Sequence, residues 1–251
     1  MCGRFTLAIE DQEQLAKLLG ADADAFLQHH YRARYNIAPT DEHWIVRVKR
    51  EQRELLPAKW GLVNHWSKDA KKAARQINAR AESIDTRSAF REAFKARRCV
   101  VPADGYYEWT GAKDNRQPHW FHRPDRGVFL MAGLYESWFP PGSELSTSDP
   151  NNPGSELSTS DPNNNQPQRT FTIITTDANA LSAPIHDRMP VILPGEDAID
   201  AWLFGEDDPD RLKRLLAPAP DDLLVVSRVS QRANSVKNDD PDLLIEQQSL
   251  L

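Results

Sequence analysis

The stretch Arg98-Cys-Val-Val-Pro-Ala-Asp-Gly-Tyr-Tyr-Glu-Trp109 reads as two short strands, Cys99–Pro102 and Tyr106–Trp109, on either side of a turn at Ala103-Asp104-Gly105. Similar signals surround it. Trp44–Val48 reads as a strand. Phe171–Thr175 is a β-branched run of the buried kind, and Val128–Tyr135 and Leu223–Val229 read as further strands. Helices fall between them. Asp11 caps a helix with Leu15, Leu18 and Leu19 on one face, stopped at Gly20. Ser88–Ala96 is a helix burying Phe90 and Phe94, and Asp197–Phe204 and Pro209–Leu216 are two more. Many short strands with interspersed helices and no βαβ rhythm indicate an α+β fold. The expectation is one domain over residues 1–251, built on a curved, barrel-like sheet, mixed or antiparallel, with peripheral helices.

The chain is 39% hydrophobic and 27% charged, as expected of a globular protein. No run approaches the ~18 apolar residues of a membrane span, and the start, Met-Cys-Gly-Arg-Phe, lacks the pattern of a secretion signal. Cys2 and Cys99 are too few for a disulfide framework, and no spacing suggests a metal or a cofactor. A reducing cytoplasm with two free thiols is the expected setting. The net charge of −6 argues against nucleic acid, yet residues 1–140 carry 23 bases against 18 acids. A basic groove on an acidic chain is compatible with that distribution. Residues 141–152 read Pro-Gly-Ser-Glu-Leu-Ser-Thr-Ser-Asp-Pro-Asn-Asn, and residues 153–164 repeat them. This duplication is too polar to build a core, so a flexible surface loop is expected over about 140–168.

Four segments hold residues suited to chemistry. Removal of Met1 would make Cys2 the terminus, placing an α-amine of pKa about 7.7–8.0 and a thiol of about 8.5 on one carbon frame. Such an aminothiol condenses with an aldehyde to an imine, and the sulfur then closes a thiazolidine ring by an intramolecular step. The alternative is an incidental terminal cysteine. In Ile77-Asn-Ala-Arg-Ala-Glu-Ser83, Asn78, Arg80 and Glu82 alternate with apolar residues, so a strand would put them on one face, as a ligand contact or a solvated edge. In Tyr106-Tyr-Glu-Trp109, aromatic neighbours would desolvate Glu108 and raise its pKa toward proton-transfer duty, unless it is an exposed carboxylate. Ala183-Pro-Ile-His-Asp-Arg-Met-Pro190 is a proline-bounded loop that offers His186 as acid or base and Arg188 as an anion contact, or is a packed turn. Aromatic and basic residues also interleave at Lys59-Trp60 and His65-Trp66-Ser67-Lys68, with Trp60 expected in the core and Trp66 free to stack on a base.

Taken in order, Cys2-Gly-Arg-Phe5, Tyr35-Asn-Ile-Ala-Pro39, Trp60-Gly-Leu62, Asn78-Ala-Arg-Ala-Glu82, Arg98–Trp109, Ala132-Gly-Leu-Tyr135, Thr172–Thr176, His186-Asp-Arg-Met-Pro190 and Val236-Lys-Asn-Asp-Asp240 closely resemble the SRAP family, the SOS-response-associated peptidase-like proteins that shield abasic sites. The resemblance runs from Cys2 to about Asp240, interrupted by the duplicated loop. It implies a charged channel for single-stranded DNA containing abasic sites, and covalent crosslinking through Cys2. It further implies active-site roles for Asn78, Glu108 and His186, phosphate contacts from Arg4, Arg80 and Arg188, and an aromatic contact from Trp66. No cofactor or metal is implied. The partners are abasic single-stranded DNA and components of the replication fork, and the expected state is a monomer. Rival readings are a Cys2 hydrolase or peptidase, including self-removal of Met1, and a non-covalent reader of modified bases.

Overall fold

The computed structural model describes residues 2–21, 24–27, 31–112, 115–140, 167–205 and 208–247. Met1 and the duplicated segment, residues 141–164, lie outside the described residues. The strands are β1 (Phe5–Leu7), β2 (Arg34–Ile37), β3 (Glu42–Lys49), β4 (Gln52–Trp60), β5 (Asn78–Arg80), β6 (Arg98–Ala103), β7 (Gly105–Thr110), β8 (Gln117–His122), β9 (Phe129–Trp138), β10 (Gln168–Asp177), β11 (Arg188–Pro190) and β12 (Val225–Arg228). The helices are α1 (Gln12–Leu19), α2 (Asp24–Leu27), α3 (Ala70–Ala73), α4 (Arg91–Ala96), α5 (Glu196–Phe204) and α6 (Pro209–Arg214).

Two sheets carry the structure. One is five-stranded in the order β12-β8-β7-β1-β2. The other runs β11-β10-β4-β3-β6-β9, and β9 also pairs with β10, so that β10, β4, β3, β6 and β9 close into a ring. Pairing is antiparallel except where β10 runs parallel to β4 and β5. The sheet is therefore curved and mixed, and the helices are peripheral.

The chain crosses between sheets at Asp104. The expected Ala103–Gly105 turn is present, but β6 and β7 belong to different sheets and form no hairpin. Asp104 is buried because it straps β1 to this crossing: Thr6 Oγ1 and the Ala8 amide donate to its two carboxylate oxygens, each at 2.5 Å. Gly105 follows, and a Cβ there would sit 2.0 Å from the indole nitrogen of Trp120. Gly105→Ala forces that ring off its bond to Thr6 Oγ1, and the expected result is a loss of ~1–3 kcal/mol in urea unfolding. A variant as stable as the parent would show that the ring moves at no cost.

Aromatic packing docks the two sheets. The Phe5 ring on β1 meets His43 at 4.8 Å and Trp60 at 5.1 Å, and Trp60 stacks on Phe171 with 9° between planes. Trp60 is fully buried, as expected from the sequence. Because Phe5 is wedged into the second sheet, the residues just before it are carried into the seam. Helix α1 matches its reading closely: Asp11 accepts the Gln14 amide at 2.9 Å, and Gly20 ends the helix at φ 55°. Leu18, placed on the apolar face from its spacing, is 51% exposed, and Leu15, Ala16 and Leu19 make the buried side.

Candidate active site around Cys2

Cys2 lies in the seam with no exposed surface. Its main chain is fixed on two sides. The side-chain amide of Asn78, on β5, donates to the Cys2 carbonyl at 2.8 Å, and the Tyr107 amide donates to the Arg4 carbonyl at 3.0 Å. Asn78 thus holds the backbone of residue 2. Its Oδ1 is buried with no hydrogen-bond partner among the described residues. The Cys2 thiol makes only a long contact of 3.9 Å to the Arg4 carbonyl, and burial, then the Glu108 carboxylate, push its pKa up.

Glu108 on β7 is buried, and desolvation raises its pKa to about 7 against the opposing charge and hydrogen bond of the amino terminus, with a smaller push upward from Asp187. A carboxyl poised there can hold or release a proton near neutrality. His186 ends a tight turn whose amides are pinned by the Ser182 carbonyl, while the Ser182 hydroxyl lies 3.3 Å from the buried Tyr106 hydroxyl. Burial lowers the His186 pKa. Its Nδ1 accepts the Arg188 amide at 3.0 Å and also lies 2.8 Å from Asp187 Oδ1. One nitrogen cannot accept the first and donate to the second at once, so the amide bond belongs to the neutral ring with its proton on Nε2, and the carboxylate contact to a ring protonated on Nδ1.

The three arginines differ. Arg4 is half-buried over the Trp109 ring at 5.8 Å, with Nη1 bonded to Asn36 Oδ1 at 2.7 Å and to the Ala233 carbonyl at 3.1 Å. Its partners are neutral, and among the described residues no carboxylate forms an ion pair with it. Arg80 is exposed at the end of β5. Arg188 is buried and engaged: Glu82 grips it through both carboxylate oxygens, and Asp177 and the Thr175 carbonyl take further donors. A phosphate reaching Arg188 has to displace a carboxylate. Glu82, expected on one strand face with Asn78 and Arg80, instead lies in a 3₁₀ turn over Ala81–Ser83. Trp66 is 59% exposed on the loop after β4. That loop is tied to β9 by the Trp138 indole, which donates to the Ser67 carbonyl at 2.7 Å. No contact among the described residues joins Trp66 to Cys2, Glu108 or His186.

A sequence profile of the SRAP family, SOS response associated peptidase, matches residues 1–236. The chain belongs to the SRAP family.

Among its SRAP relatives, abasic site processing protein YoqW of Bacillus subtilis (strain 168) is 35% identical over 97% of this chain and 99% of its own length. Abasic site processing protein HMCES of Gallus gallus is 30% identical over 86% of this chain and 66% of its own length. Solved structures share the fold. A protein from Bacteroides thetaiotaomicron superposes with a TM-score of 0.80 at 23% identity, covering 98% of this chain and all of that one. A phage-related protein from Bordetella bronchiseptica does so at 0.63 and 28% identity, covering 92% and 95%.

Two features of this SRAP site escape a reading of the sequence. Thr175 reads simply as part of a buried β-branched strand, yet its buried hydroxyl has no hydrogen-bond partner among the described residues, beside Arg188 and in register with Arg80 of β5. Only the polarity of threonine could signal it. Asn36 sits in the quoted Tyr35–Pro39 motif, but its role, linking Arg4 to the carbonyls of Ser235 and Asn238, joins segments too distant in sequence to be foreseen. Among the described residues, no group of three or more His, Cys, Asp or Glu side chains is arranged to hold a metal ion. No described helix is long and apolar enough to cross a membrane.

Proposed function

We propose that this chain recognises abasic sites in single-stranded DNA and becomes covalently joined to them through Cys2 once Met1 has been removed. One observation carries the reading: the backbone of Cys2 is clamped by Asn78 beside a buried carboxyl, Glu108, whose pKa of about 7 suits proton transfer. The names of the relatives, abasic site processing proteins, support the same substrate.

The chemistry balances with this chain's own groups. The abasic sugar opens when a proton is delivered to O4′ as the C1′–O4′ bond breaks and the C1′ hydroxyl gives up its own proton, leaving the C1′ aldehyde. Glu108 supplies that proton, and His186, neutral in its resting state, handles proton transfer at O4′ or at the carbinolamine. The Cys2 amine adds to C1′, water leaves, and the resulting imine carbon accepts the Cys2 sulfur while the thiol proton passes to nitrogen. The sum is aldehyde plus aminothiol giving thiazolidine plus water. Arg4 and Arg80 supply positive charge for flanking phosphates, so non-covalent binding weakens as salt rises. Residues 1–251 act as one domain around this site, and replication-fork components are a further class of partner.

A thiol-peptidase reading asks for a thiolate stabilised near neutrality. Burial drives the Cys2 thiol the other way, which favours the imine route, where the amine attacks first. The test is a denaturing gel of mature protein, its loss of Met1 verified by mass, with single-stranded DNA bearing one abasic site. A heat-resistant shifted band on abasic DNA and none on intact DNA is expected. Its absence from a protein shown to lack Met1 rejects the proposal.

A further inference from the structure

Arg188 carries one positive charge and faces two carboxylates. Its Nη1 donates to Glu82 Oε1 and to Asp177 Oδ1, both at 2.6 Å, and its Nη2 donates to Glu82 Oε2 at 3.0 Å and to the Thr175 carbonyl at 2.7 Å. Glu82 alone anchors the guanidinium, since it binds through both oxygens. Asp177 takes the second N–H of Nη1 through one oxygen. Its side chain is 80% exposed, against 50% for Glu82 and 8% for Arg188. Asp177 is thus the more exposed and less tightly held of two carboxylates on one cation, and it leaves a surplus negative charge on the rim. A further exposed carboxylate, Asp187, sits beside His186. The three cations Arg4, Arg80 and Arg188 are thus accompanied by three carboxylates, Glu82 and Asp177 on Arg188 and Asp187 beside His186.

That balance is unexpected for a surface that tracks a phosphate backbone, because affinity for intact nucleic acid comes mainly from uncompensated cations. We propose that Asp177 is a specificity-determining residue: it holds back the attraction of this rim for the backbone of undamaged DNA, so that retention depends on the aldehyde captured by Cys2. The inference rests on the reading of the partner given above. Asp177 takes no part in bond making. It acts on which strands stay long enough to be sampled.

The experiment compares the full chain with Asp177→Asn and with Asp197→Asn, an equal change of net charge at the start of α5. Anisotropy titrations use a labelled intact single-stranded oligonucleotide at several salt concentrations. Asp177→Asn is expected to bind it about 3- to 10-fold more tightly at low salt, with a salt slope steeper by about 0.7 for each additional phosphate neutralised, and Asp197→Asn to match the parent. A rise in affinity with a steeper slope cannot arise from damage to the fold. In a second arm, abasic DNA competes with excess intact strand, and Asp177→Asn should give less adduct than the parent. Asp177→Ser repeats both arms with a smaller side chain. Unchanged or weaker binding of intact DNA by both variants, or an equal rise in Asp197→Asn, overturns the proposal. If the parent forms no adduct at all, the abasic-site reading fails while the intact-strand titration still decides the role of Asp177.

Discussion

Cys2→Ala forms no stable adduct with abasic single-stranded DNA, and its non-covalent binding stays within about twofold of the parent. The second half of this expectation follows from how residue 2 is held. Its anchors are main-chain groups: the Asn78 amide binds the Cys2 carbonyl, and the segment is then drawn into the seam by Phe5. The thiol's hydrogen bonding among the described residues is limited to the 3.9 Å contact to the Arg4 carbonyl. Truncating a buried thiol to a methyl costs about 1 kcal/mol, too little to undo the fold. Arg4, Arg80 and Arg188 are untouched. The first half follows from the sulfur, without which the imine cannot close to a thiazolidine. The terminal amine of the variant can still condense reversibly, so borohydride should trap an imine that is invisible without reductant. A heat-stable band from Cys2→Ala without borohydride would sink the assignment of the nucleophile.

Glu108→Gln should slow crosslinking by about 10²- to 10⁴-fold while leaving binding nearly unchanged. The parent requires Glu108 protonated, below its pKa of about 7, and the Cys2 amine unprotonated, above about 7.7–8.0. Their product is a bell-shaped rate profile with its maximum a little above pH 7. The glutamine variant should lose the alkaline decline and rise with pH as the amine alone dictates. Stability should move in the opposite sense. A carboxyl whose folded pKa is raised carries no penalty below its unfolded pKa of about 4.5, and the penalty grows as pH rises from there to about 7 and levels off above it. The limiting value is on the order of 3 kcal/mol, so Glu108→Gln should melt higher than the parent at pH 8 and alike at pH 4. Equal losses in binding and rate, or a lower melting temperature at pH 8, would assign Glu108 a structural role.

Legibility in the sequence tracks how local each cause is. Helix α1 can be read from its own ends because Asp11 and Gly20 act within one turn of it. The rise in the Glu108 pKa is foreseeable because its aromatic neighbours Tyr106 and Tyr107 adjoin it in the chain and are themselves buried. Strand β4 is not legible, since Glu54 and Pro57 break its apolar pattern and it is defined by pairing with β3 and β10. Strands β1 and β2 escape for the same reason: each is short and held by its neighbours in the sheet. At the site, the residue types suited to the chemistry are recognisable. What stays hidden is who holds whom. Asn78 reads as a ligand contact or a solvated edge, whereas its side-chain amide donates to the Cys2 carbonyl. The two carboxylates on Arg188 come from separate elements, the turn at Glu82 and the end of β10, and only the β10–β11 register brings Asp177 to it.

The pairing of β5 with β10 also sets a clock on biosynthesis. Asn78, the clamp on Cys2, lies opposite Ile173, and β10 is the strand that β5 pairs with among the described residues. The clamp cannot form until the ribosome has passed Ile173. At roughly 5–20 residues per second, the amino end therefore spends on the order of ten to thirty seconds outside the tunnel and unsequestered. During that interval the peptide bond before Cys2 is open to processing enzymes travelling with the ribosome, whereas in the folded chain that still carries Met1 the Cys2 residue is buried. The order in which strands emerge thus leaves a timed opportunity to mature the amino end before the fold shuts over it.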